Sequence, residues 1–430
     1  MRIKHISKVS AQRYKNLDLE RGLVLSQELN VFVGSNGSGK SNFIALLKFL
    51  KDSLSDNISS KKDGATNFVK SVTEIGDSEM LNAWLLPPEK VNLEYTFFVE
   101  GFENDLLSLQ LSLLCSNKKS SQIAGENLSS HFREHPENMH RFFYKFHEYS
   151  IGNGFIKKFQ EKGSSQDSYQ IANIPTDEIG LSIIPKLLEN IEHSPDKEVV
   201  YFARRQIINF LSDWRFYSAN NMNLKRIRNA EPEIGSPEKY LNPDCENLAL
   251  VLDSLIQESI DFEDQLNVIM HDILPQTKRI RPIRTGRTRM SIEWYLQNAK
   301  RPLFIDEMSD GTVRMLCWAI ILNSPNLPSL IVIDEPEVGL HVQWLSYLAE
   351  WIKNAAARTQ VIITTHSPDL LDKFTDRLEN VHVFEASNPE QTLFHVKTLS
   401  RERLQDRLDE GWELGDLYRV GEPEIGGWAL

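Results

Sequence analysis

An α/β fold built on a mostly parallel sheet is predicted by three stretches of this 430-residue chain. The first is Gly34-Ser35-Asn36-Gly37-Ser38-Gly39-Lys40-Ser41, which follows the short apolar run 29–33. Behind it, Phe43, Ile44, Leu46, Leu47 and Leu50 recur with a helical period. The second is Leu330-Ile331-Val332-Ile333, an aliphatic run expected of a strand buried on both faces, which ends in Asp334-Glu335-Pro336. The third, Val361-Ile362-Ile363-Thr364-Thr365, is a similar run ending in His366-Ser367-Pro368.

The first stretch matches G-x-x-x-x-G-K-[ST], the phosphate-binding P-loop. Strand, glycine turn and helix are the arrangement this chemistry needs. Successive backbone N–H groups and the helix N-terminus form a concave anion site. Lys40 can reach the β- and γ-phosphates of a nucleotide, and the Ser41 hydroxyl can ligate Mg²⁺.

An acidic residue at the C-terminal end of a parallel strand lies beside such a loop. Asp334 is therefore read as the carboxylate that holds the Mg²⁺ shell, and Glu335 as the group that polarises an attacking water. The bland alternative is an acidic pair that caps the next element. Roughly 300 residues separate the two motifs, so a large body is inserted between the halves of the nucleotide lobe.

Glu307-Met308-Ser309-Asp310-Gly311-Thr312 opens a strongly apolar helix from Val313 to Leu322. Ser309 or Asp310 can cap it, leaving a positive dipole end outward. Taken alone this is a capped core helix, and His366 alone is a histidine at a strand end. In their order along the chain, however, the motifs resemble the SMC-like branch of ABC ATPases. That branch includes RecF, the OLD proteins and stand-alone bacterial ATPases of "AAA family" type. The residues carrying the resemblance are Asn36-Gly37-Ser38-Gly39-Lys40-Ser41-Asn42, Ser309-Asp310-Gly311, Asp334 to His341, and Thr364 to Pro368. Tyr14-Lys15-Asn16, Cys245 to Ala249, and the tail around Leu414-Gly415-Asp416-Leu417-Tyr418 with Gly426-Gly427-Trp428 are also similar.

The resemblance implies ATP and Mg²⁺ as ligands, with Asn36 to Asn42 on the phosphates. Lys40, Glu335 and His366 would be catalytic, Ser41 and Asp334 would hold the metal, and His366 would sense the γ-phosphate. Ser309 and Gly311 would contact the γ-phosphate bound on the other subunit, and Glu337 to His341 would be the D-loop that couples two sites. The chain departs from transporter ABC proteins in lacking glycine and glutamine at Asp310 and Thr312. Val342 stands where proline is expected, and no glutamine is assigned to a Q-loop, with Gln110 and Gln122 as candidates.

A homodimer or higher even-numbered oligomer follows from the resemblance, acting as an ATP-gated clamp in anti-phage defence. Its nuclease or effector subunit, of toprim or HNH type, would be supplied in trans, since only about 60 residues follow His366. The alternative is a RecF-like DNA-binding ATPase of repair or recombination. A transporter subunit is disfavoured by the signature and by the long insertion.

Composition is that of a soluble globular protein, 41% apolar and 25% charged. No apolar run reaches the roughly 18–20 residues of a membrane span, and the first residues lack the apolar core of a signal peptide. Three scattered cysteines suggest free thiols in a cytoplasmic setting. A net charge of −12 excludes coating of nucleic acid by the whole surface. The densest basic stretch is Lys278 to Arg289, around Thr285-Gly286. It is read as a solvated hairpin, a contact to an acidic partner subunit, or a direct contact to DNA or RNA.

Four regions are expected: 1–100 as the first half of the ATPase lobe, 101–213 as a mainly helical insertion, 214–400 as the second half, and 401–430 as a tail. Within them, Val91–Val99, Trp214–Ser218 and Arg289–Tyr295 read as strands, Leu248–Met270 as one or two helices, and Ser53 to Asp77 as a surface loop. The insertion carries aromatic stripes at Arg141–Phe146 and Phe202–Leu211 but no sustained heptad, so a long coiled coil is not expected. Its His131, His135, His140 and His147 are weighed as a metal site and set aside, because Pro136 interrupts the helix and no cysteine lies near.

Overall fold

The computed structural model describes residues 2–55, 65–101, 105–116, 121–131, 141–157, 168–189, 199–235, 237–259, 261–387 and 392–426. The chain divides into two compact units. One comprises residues 1–27, 35–214 and 384–397; the other comprises 28–34, 215–383 and 398–430.

The second unit contains the predicted parallel sheet. Its strands lie in the order Arg215–Ser218, Leu330–Asp334, Gln360–Thr364 and Leu29–Gly34, each parallel to the next. The last three are buried along nearly their whole length, which is why they are aliphatic on both faces. Helix Asp310–Asn323 is buried from Thr312 to Leu322 on all sides, matching its unbroken apolar sequence. Helices Leu248–Glu258 and Phe262–Ile273 pack into the same core. Strands Thr277–Thr285, Arg289–Leu296 and Leu303–Phe304 form a separate antiparallel sheet, with the expected turn at Gly286. The tail is not a separate region: Leu414–Arg419 is a helix whose Leu414, Leu417 and Tyr418 belong to this core.

The first unit is dominated by an antiparallel meander. Leu17–Val24, Arg2–Tyr14, Glu89–Glu100, Leu106–Cys115, Gln122–His131, Arg141–Phe146, Gly154–Lys157 and Ser168–Ile171 lie side by side in that order. Helix Lys40–Ser53 is tied to this sheet where Tyr95 Oη donates to Leu46 O at 3.0 Å.

The expected helical insertion at 101–213 is corrected here. Its described residues form five strands, from Leu106 to Ile171, before helices Gly180–Leu187 and Val199–Ser212. In Leu106–Cys115 the buried residues Leu107, Leu109, Leu111 and Leu113 alternate with half-buried Gln110 and Ser112, a period of two that leucine's helix propensity disguised. Arg141–Phe146 is likewise a strand. No boundary falls at residue 100, because Glu89–Glu100 pairs along its length with Leu106–Cys115. The unit boundary falls between Trp214 and Arg215, one residue beyond the expected limit at 213. The expected loop at 53–77 is helical from Asn67 to Ile75, capped by the Thr66 hydroxyl accepting from Val69 N; residues 56–64 lie outside the described residues.

Candidate functional site

The glycine loop starts where strand Leu29–Gly34 ends and is followed by helix Lys40–Ser53. Gly37 and Gly39 have φ of +78° and +99°, conformations that L side chains resist. At Gly39 a side chain would also meet Leu17 Cδ2 at 2.4 Å. The Asn16 side chain donates to Gly37 O at 2.7 Å and accepts from Asn42 Nδ2 at 2.8 Å, so the turn between the first two strands braces the loop. Lys40 Nζ lies over the loop, donating to Ser35 O at 3.0 Å and Ser38 Oγ at 3.3 Å. Ser35, Asn36, Gly37 and Ser41 are exposed. No side chain caps this helix and its first turn holds no acid, so its leading N–H groups and dipole suit an anion. A cleft of about 290 Å³ is lined by Arg13, Leu17, Asp18, Asn82 and Trp84, next to the residue that abuts Gly39.

Asp334 and Glu335 end the strand that pairs with Gln360–Thr364, and that strand in turn pairs with Leu29–Gly34. The start of the glycine loop and the acidic pair therefore leave the same edge of one sheet. Thr364 Oγ1 donates to Asp334 Oδ1 at 2.6 Å and accepts from Glu335 N at 3.0 Å. Glu335 has φ of +51°, a left-handed backbone in a non-glycine residue. Its carboxylate accepts from Asn220 Nδ2 at 3.3 Å and lies 3.4 Å from His366 Nε2. Asp334, Glu335 and His366 are thus brought together, each half-buried. Asn220 carries no local signal in the sequence, which marks Thr364 only as the start of the Thr364–Pro368 stretch, not as a bridge to the acidic pair one strand away.

Glu337 does not point outward as a free loop acid. Its Oε1 accepts from Thr365 Oγ1 at 2.7 Å, His366 N at 3.0 Å and Ser367 N at 3.2 Å. Burial raises its pKa above the usual carboxylate range, more than these hydrogen bonds lower it.

Ser309 is the N-cap of helix Asp310–Asn323, its Oγ accepting from Thr312 N at 3.3 Å. Asp310 pairs with Arg228 at 2.5 Å, and Arg228 also donates to Met308 O. Ser309 and Asp310 are exposed, whereas Gly311 is half-buried, and a side chain there would strike Trp344 at 2.8 Å. The same helix is tied to the segment after the acidic pair. Arg314 donates to Val338 O, and Trp318 Nε1 donates to Pro336 O at 3.1 Å.

Gln110 is occupied in a ladder, donating to Glu94 and accepting from Asn127, both at 2.8 Å, and Gln122 is an exposed first residue of a strand. His131 ends a strand and His147 accepts from Gly152 N, while His135 and His140 lie outside the described residues. No metal-ligand group of three occurs among the described residues. Among them, too, no helix is long and apolar enough to cross a membrane.

The sequence profile of the AAA_21 family, described as "AAA domain, putative AbiEii toxin, Type IV TA system", matches residues 29–372. No curated protein matches. Among solved structures, an SMC head bound to the C-winged helix domain of ScpA has a TM-score of 0.51 at 14% identity, over 93% of this chain and 99% of that one. The SMC head domain from Thermotoga maritima gives 0.44 at 13%, over 92% and 99%. A Pyrococcus furiosus Smc head bound to the C-terminal domain of ScpA gives 0.47 at 14%, over 94% and 99%. The fold is that of the SMC head, an ABC-type P-loop architecture, over most of the chain.

Proposed function

This chain belongs to the AAA_21 family of P-loop proteins, and from that premise we propose that it is an ATPase working as an ATP-gated clamp. The observation that carries the reading is the Asp334–Thr364–Glu335–His366 constellation, on the strand edge from which the glycine loop also departs. In this reading the loop N–H groups from Asn36 to Gly39, with Lys40, hold the β- and γ-phosphates, and Asn42 keeps the loop braced through Asn16. Ser41 and Asp334 are the residues suited to Mg²⁺, which supplies charge neutralisation on the phosphates. Glu335 accepts a proton from water as its oxygen attacks the γ-phosphorus and ADP departs. His366, held at the Glu335 carboxylate, is placed to respond to loss of the γ-phosphate.

Ser309 and Gly311 open a helix whose N-terminus is exposed, which suits a second copy's γ-phosphate and hence a homodimer or higher even-numbered oligomer. The cleft beside Leu17 is the proposed seat of the nucleoside, with Trp84 as a stacking surface. The clamp is proposed to serve anti-phage defence with an effector, such as a nuclease, supplied by another chain. The family's toxin–antitoxin description and the partner-bound SMC head support that direction.

The test is nucleotide binding, dimerisation and hydrolysis by Lys40→Ala and Glu335→Gln. Lys40→Ala should lose ATP affinity; Glu335→Gln should bind ATP, stay dimeric and hydrolyse little. Wild-type turnover by Glu335→Gln removes Glu335 as the base. A second reading, intrinsic DNA binding of RecF type, is favoured by the hairpin Thr277–Leu296. Its Lys278, Arg284 and Arg287 are exposed and make no ion pair among the described residues, whereas Arg279 and Arg289 are paired with Glu263 and Glu231. A gel shift by this chain alone that is abolished in Arg284→Glu/Arg287→Glu would favour it.

A further inference from the structure

We propose that Glu337, braced by the C-terminal helix Leu414–Arg419, is the positioning residue that holds the His366 segment, which makes the last helix part of the ATP-sensing apparatus. The kinetic consequence rests on the ATPase reading; the structural consequence does not.

One carboxylate oxygen, Glu337 Oε1, accepts from three successive residues of the segment that carries His366. Two of the three donors are backbone N–H groups, so the bond pattern fixes the path of the chain at His366 and Ser367. Ser367 then caps helix Pro368–Asp372, its Oγ accepting from Leu370 N at 3.2 Å. Glu337 as a whole is half-buried, but its other oxygen, Oε2, is sealed from solvent and has no hydrogen-bond partner among the described residues. A shielded carboxylate is costly unless its bonds are needed. Here the three bonds accepted by Oε1 all go to the His366 segment.

The brace comes from the end of the chain. Gly415 N donates to Asp372 Oδ1 at 2.6 Å, and Leu414 N donates to Thr375 Oγ1 at 3.0 Å. Arg419 pairs with Asp369 at 2.6 Å and Asp372 at 3.4 Å. A side chain at position 415 would come within 2.0 Å of Pro368 O, so only glycine lets the last helix lie this close to the residue two after His366. Tyr418, on the same helix, has a buried hydroxyl without a hydrogen-bond partner among the described residues, in the field of Glu337. The acidic segment, the His366 segment and the last helix are therefore one packed unit. A displacement of His366 breaks bonds at Glu337 and presses on the Gly415 contact.

The experiment uses the full chain with Glu337→Ala, Glu337→Gln and Gly415→Ala. It reads amide hydrogen exchange at His366 and Ser367 together with steady-state ATP hydrolysis. In Glu337→Ala, exchange at these amides should rise about tenfold and kcat should fall about tenfold, the size of one lost charge-assisted hydrogen bond, with KM within about threefold of wild type. Glu337→Gln keeps a carbonyl acceptor and should restore protection and most of kcat. Gly415→Ala should raise exchange in the same direction. Wild-type protection in Glu337→Ala overturns the proposal. So does a joint collapse of kcat and ATP affinity in Glu337→Ala that glutamine does not rescue, which marks a merely structural residue. If the wild-type chain binds and hydrolyses no ATP, the ATPase reading fails, and the exchange arm still decides whether Glu337 holds the segment.

Discussion

Replacing Thr364 by valine removes a single hydroxyl from the centre of the acidic site while nearly keeping the side chain's shape. Thr364 is fully buried, at 0% exposure, and its hydroxyl both donates to Asp334 and accepts from the Glu335 backbone. Losing the bond to a charged carboxylate costs about 1.5–3 kcal/mol, and leaving the Glu335 N–H without an acceptor costs about 1–3 kcal/mol. Asp334 is only half-buried and can regain water, so the two losses overlap and the expected total is about 2–4 kcal/mol. Thr364→Ser keeps the hydroxyl and drops one methyl group, which costs about 1 kcal/mol. The assay is the urea-unfolding midpoint of the full chain at pH 7, in the order wild type, serine, valine. ATP hydrolysis should fall more in the valine variant than in the serine variant, because only valine releases both Asp334 and the Glu335 backbone. A valine variant within about 0.5 kcal/mol of wild type, or indistinguishable from serine, refutes the hydroxyl bridge.

Three further outcomes follow from the geometry. Glu335→Gly should abolish hydrolysis yet leave the fold as stable or stabilise it by about 1 kcal/mol, since the left-handed backbone at φ +51° is released from strain; a clear loss of stability by thermal unfolding would contradict this. Gly39→Ala should eliminate ATP binding in equilibrium dialysis, because a methyl group must pass Leu17 and the Asn16 side chain at 2.4 and 2.9 Å; retained affinity would mean the loop can repack freely. The third outcome concerns His382, which is buried, with Nε2 3.0 Å from Asn30 Oδ1 and a pKa lowered by burial from 6.5 to about 4. The neutral ring is the folded form, so its contribution is complete above pH 6.5 and is lost as pH falls toward 4, amounting to about 3 kcal/mol. His382→Asn should flatten that part of the stability–pH profile in denaturant titrations; an unchanged profile would assign the acid sensitivity elsewhere.

The glycine loop, the acidic strand end and the Ser309 cap were legible because each is written in consecutive residues with a strong local pattern. Strand Leu330–Asp334 and helix Asp310–Asn323 follow from aliphatic runs that no exposed element could carry. The meander from Leu106 to Ile171 was misread for a local reason as well: leucine and phenylalanine suit both helix and strand, and the period of two in Leu106–Cys115 is masked by small residues such as Ser108, which is itself buried. Domain limits were harder still, since the pairing of Glu89–Glu100 with Leu106–Cys115 is a long-range property of two strands.

By itself, the sequence determined which short segments would form a glycine turn before a helix, end a strand on a carboxylate and cap the Ser309 helix, since hydrogen-bonding capacity, charge and φ freedom belong to single residues and their neighbours. Tertiary structure alone decided that Thr364 would join Asp334 to Glu335, that Glu337 would turn in to hold the His366 segment, and that Gly415 would bring the last helix against Pro368. Those contacts join residues tens of positions apart. Which of them form depends on strand order and packing distance, quantities that exist only once the parallel sheet has closed.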